Sequence, residues 1–67
     1  MAKIQLNGKK ILLKQNFSIS DILSKYKING KKVAVELNGK ILSQNRHKIT
    51  KIKNNDKIEI VQFIGGG

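Results

Sequence analysis

Ala2, Ile4 and Leu6 alternate with Lys3, Gln5 and Asn7, the period of two that turns one face of a strand toward a core and the other toward water. Asn7-Gly8 follows, a dipeptide whose tolerance of positive φ suits a two-residue type I′ turn. Ile11 and Leu13 then resume the alternation, so the start of the chain predicts a hairpin. Leu12 falls on the opposite face from Ile11 and Leu13, where it is either exposed or covers a sheet edge.

The period then changes. Ser18-Ile19-Ser20-Asp21 has the form of a capping box, with the Ser18 hydroxyl placed to accept from the backbone N–H of Asp21 and the Asp21 carboxylate favourable at a helix N-terminus. Phe17 before the cap and Ile22 after it are spaced as a hydrophobic staple. Ile19, Ile22, Leu23 and Tyr26 fall at i, i+3, i+4 and i+7, one apolar stripe of a helix, and Asn29-Gly30 is the expected stop. Tyr26, in register with that stripe, reads as packing rather than as a reactive phenol.

Alternation returns at Val33, Val35 and Leu37, and Asn38-Gly39 makes a second tight turn into the short strand Lys40-Ile41-Leu42. Ser43 to Lys53 is polar and irregular, with Ile49 and Ile52 as its expected anchors to the core. His47 lies in this loop without Cys, Asp or a second His nearby; it is expected in solvent, and metal ligation has no partners to draw on. Asn54-Asn55-Asp56 is a turn in which Asn can take the left-handed conformation. Lys57 to Ile64 is the last strand, with Ile58 and Ile60 on one face and Val61 and Phe63 on the other. Two readings fit that double-sided pattern: a central strand buried on both faces, or an exposed patch of Val61 and Phe63 for a partner to grip.

At 67 residues the chain is one domain, near the lower size at which a single core holds without staples. It has no cysteine, which excludes disulfides and thiolate metal sites. No stretch is long and apolar enough to span a bilayer, and Met1-Ala2-Lys3 leads into a strand pattern rather than a signal peptide. The expected compartment is the cytoplasm, or an organelle stroma if the protein is made there. Asn16-Phe17-Ser18 matches the glycosylation sequon, a chance match in the absence of a secretory signal.

Lys and Arg number 14 against 4 Asp and Glu, a formal charge of +10, which taken alone suggests nucleic acid or an anionic surface. The basic residues are dispersed from Lys3 to Lys57 without aromatics to stack on bases. Lys, Ile and Asn are also abundant together, as codon bias in an AT-rich genome produces. A solvated basic surface is therefore expected rather than a specific nucleic-acid site.

The chain finishes in Gly65-Gly66-Gly67. Glycine has no Cβ and can pass through a channel too narrow for any side chain, so a terminal carboxylate on such a tail can be carried into another protein's active site. Activating a carboxylate means converting it to an acyl phosphate or acyl adenylate. This chain has no phosphate-binding glycine loop, no Cys and a single His, so an enzyme elsewhere must supply that chemistry. Taken alone, the tail also fits a frayed terminus.

The order of hairpin, helix, strand, short strand, loop and final strand resembles the β-grasp (ubiquitin-like) fold. The hairpin turn Asn7-Gly8, the segment Val35-Glu36-Leu37-Asn38-Gly39-Lys40-Ile41, the Asn55-Asp56 turn and the ending Ile58 to Gly67 resemble the ThiS family, sulfur carriers of thiamin thiazole synthesis, over essentially the whole chain. Two departures concern loops: Leu42-Ser43-Gln44 stands where the family often has Val-Pro-Arg, and Asn55-Asp56 where it often has Gly-Asp. The resemblance implies an α+β class, with a mixed sheet of four to five strands and one main helix packed across it. Residues 1–64 are the expected β-grasp domain and 65–67 a flexible tail.

It also implies a protein co-substrate rather than an enzyme, with no cofactor of its own. A ThiF-type adenylating enzyme would use MgATP to adenylate the Gly67 carboxylate, a persulfide donor would convert it to a thiocarboxylate, and thiazole synthase (ThiG) would receive the sulfur. In that scheme Gly65 and Gly66 thread the enzyme's channel, and Phe63 with Val61 forms the docking patch. Delivery to molybdopterin or to tRNA, or attachment to lysines as a modifier, would use the same activation. A β-grasp RNA-binding module is the alternative of a different class, and it would have no reason to end in three glycines.

Overall fold

The computed structural model of the chain describes residues 1–62. Strands β1 (Ala2–Leu6) and β2 (Lys9–Leu13) form the expected hairpin, with Ile4 opposite Ile11 and Ala2 opposite Leu13. Its turn residues Asn7 and Gly8 have φ of 47° and 85°, the pair of positive angles a type I′ turn requires. The helix α1 (Ile19–Lys25), strands β3 (Val33–Leu37) and β4 (Lys40–Leu42), and the last strand β5 (Lys57–Gln62) follow. The sheet order is β2-β1-β5-β3-β4. β1 and β5 run parallel, and the other neighbours are antiparallel. A five-stranded mixed sheet with α1 across one face is the β-grasp arrangement.

The core lies between α1 and the inner sheet face. Ile4, Ile19, Ile22, Val35 and Ile58 are its fully buried large side chains. Truncating any one of them to Ala would remove about 1–5 kcal/mol, a large share of the roughly 5–15 kcal/mol by which a small domain is stable. At seven residues α1 is too short to persist alone in water, so its ends and its packing hold it. The Ser18 hydroxyl accepts from the Asp21 N–H at 3.0 Å, and an Asp21 oxygen accepts from the Ser18 N–H at 2.8 Å, closing the capping box. The Ile19 and Ser20 N–H groups donate to Thr50 O and His47 O, each at 3.0 Å, so the helix start is tied to the 43–53 loop.

Several expectations are corrected. α1 ends at Lys25 with Tyr26 as its cap, before Asn29-Gly30. Lys27 takes the left-handed conformation at φ 58°, its N–H donates to Ser24 O at 3.1 Å, and the Ile28 N–H donates to Leu23 O at 2.8 Å. That is a Schellman ending with Lys where Gly is usual. Tyr26, already turning out of the helix, is 43% exposed rather than part of the stripe, and Ile28 packs on the core in its place. Asn29 instead caps a 3₁₀ turn at Gly30–Lys32. At Gly30 a Cβ would come within 3.3 Å of Leu23 Cδ1, so a larger residue there would press on the Leu23 side chain.

The 43–53 loop contains a 3₁₀ turn at Gln44–Arg46. Ile52 anchors it, buried and with its N–H donating to Phe17 O at 2.8 Å, whereas Ile49 rides outside on the Arg46–Thr50 turn and is 66% exposed. His47, expected in solvent, is buried, because Ser20 draws its backbone against the start of α1. Leu12 is exposed rather than covering the edge.

Candidate functional site

β5 is the central strand, and its final described residue is Gln62. Phe63, Ile64, Gly65, Gly66 and Gly67, on which most of the expected site falls, lie outside the described residues. What the structure supplies is the strand that precedes them in sequence, and two asparagines fix it. Parallel pairing of β5 with β1 is short, Gln5 with Lys57 and Leu6 with Ile58, because β1 then bends into its hairpin. The Asn7 N–H continues the ladder to Ile58 O at 2.9 Å. Its side chain goes one step further: the Ile60 N–H donates to Asn7 Oδ1 at 2.7 Å, and Asn7 Nδ2 donates to Ile60 O at 3.4 Å. The amide group thus stands in for the peptide unit of a strand residue that is not there.

Asn38, in the other Asn-Gly turn, does the same from the opposite side. It exchanges bonds with Lys57, N–H to O at 2.7 Å and Lys57 N–H to Asn38 Oδ1 at 2.8 Å, while its Nδ2 donates to Asp56 Oδ1 at 3.0 Å. Asp56 Oδ2 in turn accepts from the Lys53 N–H at 2.8 Å. From sequence, both asparagines announce only turn geometry. Nothing in a dipeptide reports which backbone its side chain will reach.

The inner face of β5 carries Ile58 and Ile60. Its outer face is open: Val61, paired with Ala34, is 54% exposed, and Ile41 on the edge strand β4 is 68% exposed. Val61 is thus exposed rather than buried on the outer face of a central strand; the other residue of the expected patch, Phe63, lies outside the described residues. Beside it Glu59 lies directly opposite Glu36, which in turn lies opposite Ile41.

The remaining chemistry-bearing side chains serve the fold. Hydrogen bonds from the Ser18 backbone N–H and then the Ser18 hydroxyl hold the Asp21 carboxyl below its ordinary pKa, with a smaller contribution from the Lys51 charge. His47 Nε2 is buried without a hydrogen-bond partner among the described residues. Those residues contain no group of three His, Cys, Asp or Glu that could hold a metal ion, and none of their helices is long and apolar enough to cross a membrane.

Among β-grasp proteins, this chain belongs to the ThiS family, whose model matches residues 2–67. It is similar to the sulfur carrier protein ThiS of Bacillus subtilis, 40% identical over 65 residues that cover 96% of this chain and 98% of that protein. The thiazole synthase of Paramagnetospirillum magneticum is 32% identical over 65 residues, 97% of this chain and 20% of that protein, so the likeness there is to one part of a longer polypeptide. The crystal structure of the thiamine biosynthesis protein ThiS from Geobacter metallireducens superposes with a TM-score of 0.84 at 31% identity, covering 97% of this chain and 99% of that one. The chain is a homologue of the small sulfur carriers of the thiamin pathway.

Proposed function

We propose that the chain carries sulfur as a thiocarboxylate on Gly67. The observation that carries this reading is the family match running through residue 67, onto three glycines with no side chains that begin three residues after the last described residue of a clamped central strand. A ThiF-type enzyme binds the outer sheet face, draws Gly65 and Gly66 into its channel and brings the Gly67 carboxylate to the α-phosphate of MgATP. A carboxylate oxygen attacks that phosphorus, pyrophosphate leaves, and the acyl adenylate forms. The terminal sulfur of a persulfide then attacks the acyl carbon and AMP leaves. A thiol breaks the resulting S–S bond, taking the inner sulfur into a disulfide and leaving the thiocarboxylate. Thiazole synthase receives this nucleophilic sulfur, and the regenerated carboxylate returns for another cycle. The likeness to part of a thiazole synthase polypeptide supports that acceptor, since a tethered carrier meets its acceptor at high effective concentration.

The chain supplies position and no catalysis. Its contribution is a fixed β5, an exposed Val61 for docking together with Phe63, and a tail without Cβ atoms. Incubation with the activating enzyme, MgATP and a persulfide donor should convert the intact protein to a species in which one oxygen is replaced by sulfur, located by fragmentation at Gly67. A sulfur found elsewhere on the chain, or no conversion with an enzyme active on its own carrier, would contradict the proposal.

A further inference from the structure

Three Asn-Gly pairs stand in the chain, at Asn7-Gly8, Asn29-Gly30 and Asn38-Gly39. In such a pair the following backbone nitrogen can reach the asparagine side-chain carbonyl, because glycine places no Cβ in its path. All three asparagines are exposed, so access to water does not distinguish them. Their hydrogen bonds do. Asn7 is fastened to the central strand, its Oδ1 accepting from the Ile60 N–H at 2.7 Å and its own N–H donating to Ile58 O at 2.9 Å. Asn38 is fastened there from the other side, its Oδ1 accepting from the Lys57 N–H at 2.8 Å and its Nδ2 donating to Asp56 Oδ1 at 3.0 Å. The bonds of Asn29 stay within its own turn: Oδ1 accepts from the Lys31 N–H at 2.9 Å, and the carbonyl accepts from the Lys32 N–H at 3.0 Å.

We propose that Asn29 is a site of spontaneous covalent modification, deamidation through a cyclic imide, and that the fold withholds Asn7 and Asn38 from the same reaction. The Gly30 backbone nitrogen attacks Asn29 Cγ and gives up its proton. The bond from Cγ to Nδ2 breaks, and the side-chain nitrogen leaves as ammonia. Water then opens the imide at either carbonyl. Cleavage between Cγ and the Gly30 nitrogen gives aspartate, cleavage between the main-chain carbonyl and that nitrogen gives isoaspartate, and nothing is oxidised or reduced. Ring closure draws Cγ onto the next nitrogen, so the side chain must first leave its partners. At Asn29 that opens one short 3₁₀ turn, the kind of local event that costs a protein little. At Asn7 and Asn38 it breaks contacts with the central strand. The products differ as well. A carboxylate at position 29 still accepts from the Lys31 N–H, and aspartate is a favoured residue at such a cap. At position 38 it would face the Asp56 carboxylate, and at position 7 the Ile60 carbonyl.

The test holds the intact folded protein in mildly alkaline buffer, with samples taken over time and digested with trypsin. Cleavage after lysine leaves each pair on its own peptide, Ile4–Lys9, Ile28–Lys31 and Val33–Lys40, and mass spectrometry reads the exchange of the amide NH₂ for OH. In the folded protein Ile28–Lys31 should convert at least about tenfold faster than either of the others. It should yield two products of equal mass, aspartate and isoaspartate, separable by chromatography. In denaturant the three rates should converge, because the flanking glycine is common to all. Asn29→Gln should abolish the fast conversion and leave the other two rates unchanged. Equal rates in the folded protein, or faster conversion at Asn7 or Asn38, would overturn the proposal. A rate order that persists in denaturant would assign the difference to flanking sequence and overturn it too, and aspartate as the sole product would exclude the imide.

Discussion

The side-chain amide of Asn7 pairs with the backbone of Ile60 as a strand residue would, accepting from its N–H at 2.7 Å. This single residue both makes the hairpin turn and extends the sheet along the strand that leads to the tail. The two roles separate in Asn7→Gly, which keeps the positive φ that the turn needs but removes the amide. The variant should lose about 1 kcal/mol, the usual net value of such a bond, and Tm should fall by roughly 4–8 °C. Amide exchange at Ile60 should accelerate more than exchange at Ile4. Uniform acceleration would mean that the amide supports the whole fold and not this strand end.

The capping box gives a pH signature. Asp21 is held below its ordinary carboxylate pKa by the Ser18 N–H and hydroxyl. A depressed folded-state value means that its stabilisation is fully present above the unfolded-state value and is lost as pH falls through the folded-state value. Asp21→Asn should therefore lower Tm near neutral pH, and the gap to wild type should close in acid. Parallel Tm-against-pH curves for the two proteins would refute this.

His47 Nε2 is buried with no partner among the described residues, a situation that costs about 1–3 kcal/mol. His47→Leu, apolar and similar in bulk, should leave Tm unchanged or raise it. A clear fall in Tm would show that the ring nitrogen is satisfied, for instance by a buried water.

Phe63 tests which side of the strand the partner meets. If it joins Val61 in docking, Phe63→Ala weakens binding of the activating enzyme by more than ~1 kcal/mol at unchanged Tm. If it packs in the core, the substitution costs about 3–5 kcal/mol of stability. Measuring both quantities on one preparation decides between them.

Strands and turns were legible because their signals are local. Val33, Val35 and Leu37 alternate within one strand, and Asn7-Gly8 and Asn38-Gly39 carry the φ preference of their turns in two residues each. The capping box was legible for the same reason. What escaped depends on contacts distant in sequence. His47 is buried because Ser20 binds its carbonyl, and Ile49 is exposed while Ile52, its N–H bound to Phe17 O, takes the anchoring place in the core. Tyr26 fitted the helical stripe, but Lys27 in the left-handed conformation ended the helix first, and nothing in a lysine announces that. For the site, the openness beside Val61 follows from α1 covering only the inner face, a property of the assembled sheet and not of β5.

The central claim is that Gly67 is the reacting residue and that its distance from the clamped strand matters. Deleting it leaves Gly66 with a carboxylate, so the chemistry survives in principle while the reach falls by one residue, roughly 3.5 Å when extended. In-line attack does not tolerate that gap, since misplacement by even about 1 Å can cost ~100-fold in rate. Appending one residue after Gly67 should be as damaging, because the activated carbonyl then lies beyond the position the channel sets. The measurement is ATP–pyrophosphate exchange with the activating enzyme on wild type, the Gly67 deletion and the one-residue extension, with Tm as a check that all three are folded. The account predicts exchange by wild type and a loss of at least about 100-fold in both variants at unchanged Tm; equal exchange by all three would contradict it.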